Sequence, residues 1–510
     1  MVEHFDVLIV GAGLSGIDAA HHMQALCPSK TFAILEQRAR VGGTWDLFRY
    51  PGIRSDSDML TMGYSFRPWT DPRAISPGED IREYIAATAR DEGIEGRIRF
   101  HHAVSRASWS SDDARWTVEG SRRTPDGRDE PFTLTCGFLF CCAGYYRYSA
   151  GYTPELPGIE RFSGRVVHPQ AWPESLDYAG KRVVVVGSGA TAVTLVPAMA
   201  RTAAHVTMLQ RSPTWIVSMP ERDRLANALR AVLPGRWAHR LGRAKNVVLM
   251  YLTYRLARAF PRFTGRGLLA RARRALGPGI DVATHFTPRY GPWEQRLCLV
   301  PDGDLFVALR EGRASVVTGH VETFTEGGIR LRSGEELEAD VVVTATGLVM
   351  QLFGGIELTV DGRAVDPATR LSYKGVMLSG VPNLAAVFGY VNASWTLKAD
   401  LICAWVCRLL NRMDGRGARQ VTPTARAEEP AAPFVENFSP GYVRRALALW
   451  PKQGRRSPWR VHQDYLRDTI SLKWRPFADD ALVFSSPQGA PEAASPPGPT
   501  AHARRVRTST

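Results

Sequence analysis

Short apolar runs, glycine turns and amphipathic stretches follow one another along this chain, and twice they come in the same order. Phe5-Asp-Val-Leu-Ile-Val10 is a β-rich run ending at Gly11-Ala12-Gly13-Leu14-Ser15-Gly16, Ile17 to Leu26 continues at helical period, and Phe32 to Leu35 is apolar again. The order predicts a strand–helix–strand unit with parallel strands. Arg182 to Val186, Gly187-Ser188-Gly189-Ala190-Thr191-Ala192 and His205 to Leu209 repeat it. Between the units, Ile98 to Val104, Trp116 to Val118 and Phe132 to Leu134 predict more polar strands with reverse turns. Phe138 to Cys142 reads as a buried strand stopping at Ala143-Gly144, and Asp340 to Gly347 has the same form. A small residue plus glycine at a strand end suits close approach of backbone to a nucleotide. Further on, Asn392-Ala-Ser394 predicts a capped start for an amphipathic helix from Trp395 to Met413.

The repeated unit places the chain in the α/β class, with two Rossmann-like dinucleotide-binding domains. In the first loop, Gly11, Gly13 and Gly16 allow a tight turn, and with Ser15 they open a helix whose backbone N–H groups can face a pyrophosphate. Glu36 stands twenty residues after Gly16, where an acid can accept ribose hydroxyls. A carboxylate there repels a 2′-phosphate, so this site suits FAD or NAD. The second loop offers Gly187, Gly189 and Thr191, and its following strand leads to Gln210-Arg211-Ser212 rather than to an acid. The Arg211 guanidinium can pair with a 2′-phosphate and Ser212 can add a hydrogen bond, which favours NADPH.

Two longer segments narrow the reading. Between the loops lies Phe162-x-Gly164-x-x-x-His168-x-x-x-Trp172, and after the first unit comes Gly42-Gly-Thr-Trp45 followed by Tyr50-Pro-Gly52 and Asp56. The chain thereby resembles the Baeyer–Villiger flavin monooxygenases, the class B flavoprotein monooxygenases. Within them it is most similar to the bacterial ethionamide-monooxygenase group, sharing Phe48-Arg-Tyr-Pro-Gly-Ile-Arg-Ser-Asp-Ser-Asp58 and Asn392-Ala-Ser-Trp-Thr-Leu-Lys-Ala-Asp400. The resemblance covers nearly all of residues 1 to 480.

The resemblance implies a discontinuous FAD domain over residues 1–150 and 340–485, an NADP domain over 151–339, and a helical insertion at 221–285 within the latter. It also implies the reaction. NADPH reduces FAD, the reduced flavin adds O2 to give a C4a-peroxyflavin, and the anionic form attacks a ketone to yield an ester or lactone. The neutral form can oxidise sulfur in thioether or thioamide-like compounds. Gly43, Thr44, Trp45 and Asp56 carry over as cofactor-contacting residues. Arg296, in Pro292-Trp-Glu-Gln-Arg296, aligns with the family's catalytic arginine, a cation that does not surrender its proton, with Asp56 to orient it. Many relatives have lysine before that arginine, whereas this chain has Gln295, which leaves more of the NADPH phosphate grip to Arg211 and Ser212. Phe162, Gly164, His168 and Trp172 carry over as interdomain coupling residues; His168 reads equally well as a satisfied structural histidine and Trp172 as packing for the domain joint. The Trp395 helix start is a candidate for stabilising the anionic pyrimidine edge of reduced flavin.

Charge and composition change the picture in one place. The chain has 510 residues, 44% of them apolar, and a net charge of +14. From Glu221 to Ile280 there are fourteen Arg or Lys against two acids, a net +12 in that block. Apolar residues such as Trp237, Leu249, Leu252 and Phe260 are interleaved. The block reads as a solvated helical subdomain packing its apolar stripe on the protein, or as a basic amphipathic surface in peripheral contact with anionic lipid. No nucleic-acid-binding motif accompanies the charge. Seven cysteines form no CxxC pair and no metal-ligand spacing, which points to a reducing cytoplasm, and the region after Gly42 lacks the CxxxxC that a disulfide reductase uses beside flavin. No signal peptide is expected before the first strand, and no run approaches the ~20 apolar residues of a spanning helix. Residues 486–510, rich in Ser, Pro, Ala and Gly, are expected to be disordered.

Overall fold

The computed structural model describes residues 2–426, 429–436, 438–477 and 480–487; most of the 486–510 tail lies outside them. Both strand–helix–strand units form. Glu3–Val10 pairs in parallel with Phe32–Leu35, Leu14–Leu26 is the helix between them, and the register brings Val10 beside Leu35. Arg182–Val186, the helix Ala190–Met199 and His205–Gln210 repeat the arrangement, again in parallel.

The first unit sits in a nine-stranded mixed sheet. Its central strand is Asp129–Cys141, which is antiparallel to Arg115–Arg123 over its first part and parallel to Glu3–Val10 over its second. The runs at 132–134 and 138–142, expected as two strands, are therefore one long strand that merely changes partner. Conversely, the strand expected over 98–104 breaks into Ile98–Arg99 and His102–Ser110, because His101 turns the chain with φ of 59°. The sheet packs against Leu14–Leu26 and the long helix Trp395–Asp414, with Ile17, Met23, Phe140, Ile402 and Val406 in a common core.

The second sheet has five parallel strands in the order Ala314–Thr318, His205–Gln210, Arg182–Val186, Val341–Thr344, Arg165–Val167. Val341–Thr344 thus belongs to the second sheet, and the return to the first comes with Glu357–Val360, which pairs with His102–Ser110. A boundary at residue 340 is too early by this one strand: Val341, Val342 and Val343 are all fully buried between Arg165–Val167 and Arg182–Val186, and their apolar run is what an interior parallel strand requires.

The helical insertion comprises Arg224–Val232, Gly235–Ala259, Pro261–Leu276 and the short Val282–Phe286. Its packing departs from the expectation of an inward apolar stripe. On Gly235–Ala259 the protein-facing side carries Ala238, His239, Gly242, Asn246 and Ala257, whereas Trp237, Leu241, Leu252 and Leu256 are exposed. The inward side lies against the Met59–Met62 turn: Gly242 faces the Leu60 side chain, and Arg243 donates to the carbonyls of Leu60, Thr61 and Gly63. Among the described residues no helix is long and apolar enough to cross a membrane.

Candidate functional site

The two glycine loops open on a single cleft of about 990 Å³ between the sheets. Gly13 and Gly189 occupy the N-cap positions of their helices, and neither helix has a side-chain cap. The first backbone N–H groups are therefore left to a ligand, and with the helix dipole they form an anion site. Gly11 has φ of 101°, and a Cβ there would lie 2.8 Å from the Cys142 carbonyl oxygen; Gly187 has φ of 143° and its Cβ would lie 2.3 Å from the Ala345 carbonyl oxygen. Both positions thus require glycine, and Cys142 and Ala345 belong to the strand-end segments singled out by sequence. Around Gly189 the space is open. Gly16 does not line the cleft; it lets the helix pack against the loop, since a Cβ would strike the Gly11 carbonyl.

Glu36 lines the cleft although only 3% of it is exposed. Its carboxylate accepts from the Ala12 N–H at 2.8 Å and the Arg38 N–H at 2.9 Å, so it ties the loop to the strand end while each oxygen keeps a further lone pair. Burial pushes its carboxyl above the ordinary range, against the pull of these two N–H groups. Ser15, Gly43, Thr44, Trp45, Thr191, Arg211, Ser212 and Gln295 line the same cleft. These features fit two extended dinucleotides: two uncapped helix starts, two ribose-side strand ends and room between them.

Tyr50 to Asp56 crosses from one half of the molecule to the other. Gly52, at φ of 76°, abuts Thr194 and Ala198, where a Cβ would come within 2.6 Å of the Ala198 methyl. Arg54 is ion-paired with Asp304 at 2.5 Å. This clamp explains the Tyr-Pro-Gly sequence and delivers Asp56 to the cleft. Arg296 arrives from the other side, two residues before Cys298–Pro301, a strand paired in parallel with Ile216–Met219. Trp293, at φ of 67°, turns the loop that presents it. Arg296 donates through Nη1 to an Asp56 carboxylate oxygen, joining positions 240 residues apart.

Arg296 is recessed, yet 30% of its side chain remains accessible to the cleft. Asp56 holds its guanidinium well above the ordinary arginine range, and burial opposes this only in part. The cation is therefore permanent. Tyr145, Tyr146 and Tyr442 surround it and also raise it; the hydroxyls of Tyr145 and Tyr146 are 2.9 Å apart, and Tyr145 stacks on Trp395 with centroids 4.8 Å apart. Sequence reasoning missed these tyrosines, and also Arg445, whose guanidinium lies 3.5 Å from the Tyr152 ring centroid. Nothing in their spacing marks them; the doublet Tyr145-Tyr146 directly after Ala143-Gly144 is the one available signal.

The Trp395 helix begins at the cleft, but its cap differs from expectation. Ser394 is at the N-cap position without capping: its hydroxyl pairs with that of Thr61 at 2.6 Å, and Asn392 donates to the Gln463 carbonyl. Among the described residues no N-cap side chain satisfies the helix start, and Trp395 Nε1 donates to Ser15 Oγ at 2.8 Å. Behind it, Asp18, His22 and Asp400 converge within 4.8 Å. Asp18 is fully buried, and among the described residues neither carboxylate oxygen has a hydrogen-bond partner. Burial first, and then Asp400, hold its carboxyl well above the usual range, so it is a proton-holding group against the His22–Asp400 pair.

The coupling residues lie outside the cleft lining. Phe162 packs edge-on to Phe324, and a Cβ on Gly164 would lie 2.4 Å from the Asp340 carbonyl oxygen. His168 donates from Nε2 to the Gly347 carbonyl at 3.2 Å and accepts from the Gln170 N–H at Nδ1. Burial lowers its basicity, so the ring is neutral. Trp172 packs on the second core and meets Tyr178 edge to face. The connector meets the cleft lining at Gly347 and Tyr148, whose carbonyls accept from His168 and Gln170.

Comparison with known proteins bears on the family and the fold. Residues 6–226 match the flavin-binding monooxygenase-like family. The chain is 54% identical to the FAD-containing monooxygenase EthA of Mycobacterium tuberculosis, over 95% of this chain and 98% of that one. It is 46% identical to the probable FAD-binding monooxygenase AlmA of Acinetobacter baylyi, over 95% and 97%. Its fold resembles oxidized steroid monooxygenase bound to NADP (24% identity, TM-score 0.68, 82% and 88% covered). It also resembles open cyclohexanone monooxygenase (21%, TM-score 0.68, 84% and 91%). The chain belongs to the flavin-binding monooxygenase family.

Proposed function

We propose that the chain is an NADPH- and O2-dependent Baeyer–Villiger monooxygenase that holds FAD at the first glycine loop and NADPH at the second. The substrates are ketones, converted to esters or lactones, with thioether or thioamide sulfur as a further target. The observation that carries the reading is the Arg296–Asp56 pair in the cleft shared by both loops. Seven free cysteines suit a cytoplasmic enzyme.

FAD when bound supplies the oxygen-activating chemistry, with electrons from NADPH. Gly11, Gly13 and the uncapped helix start would hold its pyrophosphate and Glu36 its adenosine ribose, with Gly43 to Trp45 in the same cleft. The uncapped start of Trp395–Asp414 offers partial positive charge to its anionic form. Gly187, Gly189 and Thr191 hold the nicotinamide cofactor, with Arg211 and Ser212 on its 2′-phosphate. Arg296 is the fixed cation of the cleft that would offset negative charge developing on a reacting oxygen there, an interaction worth most in a recessed site. Asp56 positions that guanidinium. Phe162, Gly164, His168 and Trp172 couple the halves through the joint and through Gly347.

Incubation of the purified enzyme with NADPH and linear, cyclic and aryl ketones, alongside a thioether and a thioamide, tests this by mass spectrometry of products. Esters or lactones are expected. Products confined to S- or N-oxides would assign the chain instead to heteroatom-oxidising flavin monooxygenases.

A further inference from the structure

The helical insertion carries its bulky apolar side chains outward. Of the nineteen exposed large apolar residues among the described residues, ten lie on Arg224–Val232, Gly235–Ala259, Pro261–Leu276 and their junctions. That concentration separates this surface from ordinary scattered exposure. Trp237, Leu241, Val248, Leu252 and Leu256 recur at helical spacing along one side of a single helix, and Phe263, near the start of the next helix, is 72% exposed. The opposite side is already satisfied: Arg243 donates to the carbonyls of Leu60, Thr61 and Gly63, and Asn246 donates to Asp58. Turning the helix to bury the outer face would break these contacts.

The charges around the face select its partner. Arg236, Arg240, Arg255, Arg262 and Arg266 are exposed, and among the described residues the ion pair of this block is Lys245 with Asp223. Arg240 and Arg255 lie against the rings of Trp237 and Tyr251, at 5.5 and 5.6 Å. Such arginines carry apolar stems that can enter an apolar boundary while their heads meet phosphates. A second copy of the chain would bring the same concentrated positive charge against itself, so self-association is opposed. Nucleic acid would satisfy the arginines and leave Leu252 and Phe263 in water.

We propose that this face docks the enzyme on an anionic lipid bilayer, lying in the interface without crossing it. The inference goes beyond the reaction assigned above and does not depend on it. The docked helix also reaches the site loop: Tyr254 meets Trp293 edge to face at 5.5 Å, three residues before Arg296. The loop that presents the guanidinium therefore lies beside the lipid-facing helix.

Sedimentation of the holoenzyme with vesicles of mixed phosphatidylglycerol and phosphatidylcholine, against phosphatidylcholine alone, tests the proposal at low salt. Preference for the anionic vesicles by at least about tenfold is expected. The L252E/F263E variant is expected to lose about tenfold or more, while S105E/S121E, with the same change in net charge on a distant strand pair, retains binding. Retained flavin absorbance checks folding. Absence of wild-type binding to the anionic vesicles overturns the proposal whatever the variants do. Equal losses in both variants would leave only net charge and overturn the apolar docking face. A wild-type dimer that ignores vesicles and dissociates on L252E/F263E would assign the face to a second copy.

Discussion

Replacing Arg296 by alanine removes the one permanent cation that Asp56 and three tyrosines enclose in the cleft. At about 4 Å and an effective dielectric near 20, a unit charge acts on a full oxyanion with about 4 kcal/mol. Fixed donors in comparable sites are worth about 2.7–4 kcal/mol, or roughly 10²–10³ in turnover. The 30% accessibility of Arg296 admits some screening, which favours the lower end. R296A then leaves Asp56 without its partner, a negative charge beside a forming anion, which pushes the loss upward. A fall in ester formation of about 10²–10³-fold is expected. R296K keeps a charge but loses the planar fork and is expected to retain partial activity. Anaerobic stopped-flow absorbance should show flavin reduction by NADPH little changed in R296A, because the glycine loops are untouched. Product analysis under air should show the ester lost. Ketone oxygenation within about threefold of wild type, on a range where 10² is expected, would remove Arg296 from the chemistry and with it the main support for the proposed reaction.

Three further outcomes follow from other parts of the structure. R211A is expected to lower the NADPH over NADH preference in kcat/KM by about 10–100-fold, from lost charged hydrogen bonds of about 1.5–3 kcal/mol; an unchanged ratio would place the 2′-phosphate elsewhere. Lys398 and Asp468 form a buried pair at 3.1 Å with side chains 1% and 3% exposed, so K398M should destabilise by about 3–5 kcal/mol in chemical denaturation and K398M/D468N should recover much of it; a neutral single variant would refute the pairing. Asp18 has its folded carboxyl raised above the unfolded value of 3.8, so the native state binds the extra proton and stability falls as pH rises from that value through the folded one. D18N removes the dependence, and its melting temperature relative to wild type should climb from pH 4 to pH 8; a difference that is flat with pH would refute a protonated Asp18.

Local chemistry made the cofactor cradles legible and long-range assembly hid most of the rest. Val10-Gly11 and Val186-Gly187 are readable because strand, turn and helix each leave a mark within thirty residues. Arg296 and Asp56 were reachable only through resemblance, since no local period relates positions so far apart. Tyr145, Tyr146 and Tyr442 left no common signal, because segments distant in sequence bring them around one guanidinium. Asp129–Cys141 was split in expectation because its polar half pairs antiparallel and its apolar half parallel, giving two hydrophobic patterns in one strand. Ser394 looked like a cap because the residue type and position are right, yet Thr61 supplies a closer partner. In the insertion, amphipathic period revealed the helices but not which side faces inward; the bonds of Arg243 and Asn246 to the 58–63 segment hold that side.

The most direct test of the central claim is oxygenation of a ketone by the holoenzyme with NADPH under isotopically heavy O2, read by mass spectrometry. An ester or lactone carrying one heavy oxygen in the new C–O–C linkage, with NADPH consumed in equal amount, is the predicted result. NADPH oxidation that yields only hydrogen peroxide or a heteroatom oxide, with every ketone in the panel returned unchanged, would contradict it.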